Sequence, residues 1–103
     1  MNQQTQGDAQ LTIEEAFGST LQDLRKARKL SQEQLGFESG FHRTYISQLE
    51  RGRKSPSLKT IFQLAAALKA LPSEMVSCVE RSILAAGQDL GRIGASSDED
   101  NAG

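Results

Sequence analysis

Twenty-two residues, SQEQLGFESGFHRTYISQLERG from Ser31 to Gly52, leave this chain few ways to fold. Ser31 and Gln34 have capping-box spacing, in which each side chain satisfies an orphan backbone N–H at a helix start. Gly40 supplies a turn, because a glycine enters the left-handed region without steric cost. Gly52 stands at a natural helix stop. The stretch therefore predicts two short helices, about Gln32 to Ser39 and about His42 to Arg51, joined by a tight turn. Leu35, Ile46 and Leu49 face a common core. His42, Arg43, Thr44, Ser47 and Gln48 form a polar face that cannot belong to that core. Phe41 is expected in the core beside the turn, and Phe37 either there or as a partly exposed contact. Gly36 weakens the first of the two helices by roughly 1 kcal/mol relative to Ala, tolerable where another helix must come close.

The rest of the chain reads as support for this pair. Met1 to Gln10 are polar and aperiodic, so residues 1–11 are expected to be a disordered tail. Thr12 and Glu15 again have capping-box spacing. Phe17, Leu21 and Leu24 then give the buried stripe of a first helix ending near Leu30. After the basic loop RGRKSPS, Ser57 caps a fourth helix, Leu58 to Ala70, with Ile61, Leu64, Ala65 and Leu68 on one face. Pro72 and Ser73 stop and restart the chain. A fifth helix runs from Glu74 to about Ala86, where Gly87 ends it. Residues 12–86 form the domain, and 87–103 a flexible acidic tail. The fold class is all-α with five helices.

A length of 103 residues suits one domain with one modest core. No apolar run approaches the roughly 18 residues of a membrane span. The polar N-terminus lacks the pattern of a signal peptide, so the expected location is cytoplasmic. The lone Cys78 cannot pair within the chain or build a metal site with the only histidine, His42. It is expected to be a small buried hydrophobe. The formal charge of −1 hides an uneven distribution. Between Leu24 and Lys59, nine basic residues face three acidic ones, and the other acids lie toward the two ends. A basic middle is the footprint of a phosphate-contacting surface, although a solvated helix face has the same composition. A short helix with one apolar side and one hydrogen-bonding side suits the DNA major groove.

Arg25 with LSQEQLG, then RTYISQLERG and SPSLKTIFQLAAAL, closely resemble the lambda-repressor-like helix-turn-helix domains of the Xre/Cro type. The resemblance spans about Phe17 to Val76 and rests on several residues in the right order and spacing: Ser31-Gln32, Leu35, Gly40, Ile46-Ser47, Leu49-Glu50, Gly52 and Pro56. It implies a compact five-helix domain with the helix-turn-helix at helices 2 and 3. It also implies homodimeric binding to an inverted repeat in double-stranded DNA. By the same resemblance Arg43, Thr44 and Gln48 match positions that reach base edges, and Gln32 matches a phosphate-contacting glutamine. His42 and Ser47 flank the base readers, and Arg53 and Lys54 fall in a loop that touches the backbone. Arg25 and Glu50 match a structural ion pair. Two residues depart from the pattern: Gly36 stands where alanine is usual and Phe41 where a smaller aliphatic is usual.

The leading expectation is thus a transcriptional regulator, with residues 42–51 as the recognition helix. The alternatives are an antitoxin or protein-binding adaptor on the same fold, or a controller protein of a restriction–modification system. An enzyme is not expected, since no nucleophile with its base, metal cluster or phosphate-cradling loop stands out. No cofactor, metal or small-molecule ligand is expected either. Met75, Val76, Val79, Ile83 and Leu84 exceed what one face of helix 5 needs for a small core. They are therefore expected to carry a dimer interface.

Overall fold

Side-chain caps start four of the five helices in the computed structural model, which describes residues 10–90. The helices are α1 (Ile13–Ala27), α2 (Gln32–Ser39), α3 (Arg43–Glu50), α4 (Leu58–Leu68) and α5 (Pro72–Ala85). Both capping boxes form. Thr12 Oγ1 accepts from Glu15 N while Glu15 Oε1 accepts from Thr12 N, and Ser31 and Gln34 repeat the pattern. Ser57 Oγ accepts from Thr60 N to start α4. His42 caps α3 through Nδ1, which accepts from Thr44 N at 3.0 Å. The parts of the expected tails at residues 1–9 and 91–103 lie outside the described residues. Gln88 donates to Leu11 O and accepts from Leu11 N, tying the segment before α1 to the segment after α5.

Helix ends deviate from expectation where no glycine or proline marks them. The first helix stops at Ala27 and the fourth at Leu68, each earlier than its apolar pattern suggests. In both cases a lysine takes the left-handed conformation, Lys29 at φ 59° and Lys69 at φ 56°. The next amide closes the helix: Leu30 N donates to Arg25 O, and Ala70 N to Ala65 O. In the fifth helix Pro72 begins the first turn, because a missing N–H costs nothing there.

Helix α1 packs against α3 and α5, α2 against α3 and α4, and α4 against α5. Phe17, Leu21, Leu35, Ile46, Leu49, Leu64 and Met75 meet in one core. The crossing of α1 and α3 depends on Gly18. A Cβ there would lie 2.4 Å from Leu49 O and 2.5 Å from Glu50 O.

The fifth helix corrects the expected dimer surface. Met75 and Ile83 are 0% and 1% exposed. They are core residues, because the small domain needs them to fill the space beneath α5. Val79 is half-buried against the same core. Of the five residues assigned to an interface, only Val76 and Leu84 are exposed, one on each side of Glu80. Cys78 is half-buried rather than buried. Among the described residues no helix is long and apolar enough to cross a membrane.

Candidate nucleic-acid interface

The helix α3 divides cleanly into two sides. Ile46 and Leu49 are fully buried, while His42, Arg43 and Thr44 are exposed and Ser47 and Gln48 half-exposed. All five polar residues therefore share one accessible surface at the start and outer side of one helix. Its eight residues span about 12 Å, the width of a B-DNA major groove. Capping leaves the His42 ring exposed, with Nδ1 occupied by Thr44 N. Arg53 and Lys54 follow in an exposed loop, held by an Arg53 N to Gln48 O hydrogen bond of 2.9 Å.

A buried ionic cluster anchors the other side of α3. Arg25 Nε and Nη2 donate to Glu50 Oε2 and Oε1 at 2.6 and 2.9 Å. The Glu50 side chain is 1% exposed and that of Arg25 10%. Arg25 Nη1 also donates to Leu30 O at 2.9 Å, so one guanidinium joins α1, the turn before α2, and α3. Glu50 receives further donors, Gln32 Nε2 at 2.9 Å and Gln22 Nε2 at 3.5 Å. Burial opposes ionisation of Glu50. The donors from Arg25, Gln32 and Gln22, with the Arg25 charge, outweigh it and hold the carboxyl below its usual range. Arg25 is correspondingly raised by the Glu50 hydrogen bond against its own burial.

Gln32, assigned to a phosphate, thus binds Glu50 in the free protein. Its amide has a second N–H for another acceptor. Tyr45 turns toward α4, with its hydroxyl 3.4 Å from Thr60 Oγ1 and its ring 5.1 Å from Phe41. Arg28 donates to Ala67 O at 3.1 Å and fastens α1 to the end of α4. Of the nine basic residues in the central window, Arg25 and Arg28 are therefore structural. Lys26, Lys29, Arg43, Arg51, Arg53, Lys54 and Lys59 are exposed.

Gly36 is explained by the turn. A Cβ there would come within 2.5 Å of Phe41 O, and both Gly40 N and Phe41 N donate to Gly36 O at 2.9 Å. The chain folds directly back over Gly36, so Gly36 and the backbone of Phe41 form one structural feature. Phe37 projects from α2 at 88% exposure, outside the core. Sequence reasoning passed over Gln22 and Gly18. Gly18 carried the one available signal, an isolated glycine inside a helical pattern.

A family model described as helix-turn-helix matches residues 21–74. The uncharacterized HTH-type transcriptional regulator y4dJ of Sinorhizobium fredii is 37% identical over 67 residues, covering 65% of this chain and 87% of that protein. The control protein C.BamHI of Bacillus amyloliquefaciens is 39% identical over 61 residues, covering 58% of this chain and 75% of its own. Among solved structures, the restriction-modification controller protein C.AhdI of Aeromonas hydrophila superimposes with a TM-score of 0.59 at 45% identity. That match covers 60% of this chain and 94% of the other.

Proposed function

Because the chain belongs to the Xre/Cro-type helix-turn-helix family of DNA-binding transcriptional regulators, we propose that it reads an inverted-repeat operator as a homodimer, with α3 in the major groove. The observation that carries this reading is the division of α3. Arg43, Thr44 and Gln48 are accessible on a helix whose opposite side is buried and clamped through Glu50. Arg43 has the geometry class for guanine O6 and N7, Gln48 for adenine, and Thr44 for a thymine methyl. His42, Ser47, Arg53, Lys54 and the free N–H of Gln32 would meet phosphates. Its place of action is the cytoplasm.

One copy presents one recognition helix, and two copies about 34 Å apart read successive grooves. The second copy would cover the apolar surface around Val76. There Ile13, Pro56, Ile61 and Val79 share a shallow groove with it, and Leu58 and Phe62 stand exposed on α4. The similarity to C.BamHI and C.AhdI supports a narrower reading, in which the operator controls a restriction–modification gene pair.

Selection of bound sequences from random DNA, followed by anisotropy titration, tests the proposal. The expected outcome is a symmetric site bound far more tightly than random DNA at about 150 mM salt. Equal affinity for both would overturn it. Arg43→Ala should lose discrimination, by roughly 1–3 kcal/mol at its base pair. Arg53→Ala should weaken binding to all sequences alike.

A further inference from the structure

A groove of about 340 Å3 runs between α1 and α5, away from the recognition helix, lined in part by Ser19, Thr20, Asp23, Cys78, Arg81 and Ser82. Arg81 Nη2 donates to Cys78 Sγ at 3.4 Å, while Nη1 donates to Ser77 Oγ at 2.7 Å. Thr20 is only 6% exposed, yet among the described residues its hydroxyl has no hydrogen-bond partner. Among the described residues no fully buried side-chain oxygen lacks a partner. The Thr20 hydroxyl is therefore not fully enclosed, and Thr20 is one of the residues that line this groove. An unoccupied donor and acceptor thus shares a small depression with a half-exposed thiol and a guanidinium.

The composition of the walls narrows the ligand. Arg81 supplies a donor at the sulfur, Thr20 a hydroxyl on the wall of the same groove, and Asp23 an acceptor and a negative charge that repels anions. A small neutral molecule with two adjacent oxygens and one O–H meets these conditions. We propose that Cys78 is a site of oxidation by hydroperoxides, with Thr20 and Arg81 holding the peroxide against the sulfur. The sulfur attacks one peroxide oxygen, so an S–O bond forms as the O–O bond breaks. The sulfur is oxidised by two electrons to a sulfenic acid. The other oxygen leaves as water or an alcohol, carrying the proton that the thiol lost. Cys78 lies about 200° around α5 from Val76, so covering the outer face of α5 leaves the thiol open. The proposal is independent of the DNA reading, and so is its test.

The chain has one cysteine, so a thiol adduct reports on Cys78 alone. The purified full chain is incubated with hydrogen peroxide and a 1,3-dione that traps sulfenic acid, and the adduct is followed by intact mass. Cys78 should be trapped roughly tenfold faster than glutathione under the same conditions. Thr20→Val and Arg81→Gln should each slow the reaction several-fold, and Cys78→Ser should give no adduct. A rate equal to that of glutathione overturns the proposal, as does an unchanged rate in Arg81→Gln. Arg81 is exposed, so its variant carries the test even where Thr20→Val perturbs folding.

Discussion

Glu50 shows how one side chain links stability to recognition. Its carboxylate is buried on α3 and receives donors from α1 and α2. Removing the guanidinium leaves that charge underpaired, so Arg25→Ala should cost about 3–5 kcal/mol in urea denaturation at pH 7. The depressed pKa sets the direction with pH. The contribution of Glu50 is complete above the unfolded carboxyl value of about 4.3, and is lost as pH falls through the lower folded value. Stability measured from pH 7 down to pH 3 should therefore drop in acid, with a shallower drop in Glu50→Gln. The ion pair was legible through the family resemblance, because a spacing of 25 residues has no local signature. Gln22 was invisible for the same reason: an exposed and a cluster-forming glutamine look alike in one dimension.

At the scale of elements, the starts of α1, α2 and α4 were readable, α5 starts at Pro72 and not at the expected Glu74, and the helix ends were less readable. Thr12, Ser31 and Ser57 act within one turn of their own position, so spacing is enough to identify them. The ends at Lys29 and Lys69 depend on a left-handed backbone that lysine does not favour. Lys69→Gly should relieve that strain and stabilise by about 0.5–1 kcal/mol, seen as a higher midpoint in thermal unfolding. Gly18 makes the opposite case. Its neighbours across the crossing are backbone oxygens of α3, which cannot rotate away. Gly18→Ala should destabilise by roughly 1–3 kcal/mol, and should weaken DNA binding beyond that loss by shifting α3 on α1. Comparing thermal melts with titrations well below the melting point separates the two effects.

For the whole molecule, the distribution of charge and apolar surface matters more than any total. Arg25 and Glu50 cancel inside the core, so the remaining window still presents an excess of exposed cations. Affinity for DNA should then fall linearly with the logarithm of salt, with a slope of about −0.9 per neutralised phosphate. Lys54→Ala should reduce that slope by about one contact. Val76→Glu places a charge in the proposed contact surface. It should shift sedimentation toward the monomer without lowering the melting point of the isolated domain, since Val76 is already 47% exposed.

The sequence by itself determined the helix order, the capped starts, the turn at Gly40 and the polar face of α3. Each of these follows from contacts within a few residues or from the helical period. The tertiary structure decided which apolar residues of α5 are core. Met75 and Val76 are adjacent and equally apolar, and only the position of the other helices buries one and exposes the other. It also decided that Gln32 meets Glu50, that Gly18 admits the backbone of α3, and that Thr20, Cys78 and Arg81 border one groove. These depend on distances between segments far apart in the chain. Local propensity carries no record of such distances, and the packing of the five helices is what sets them.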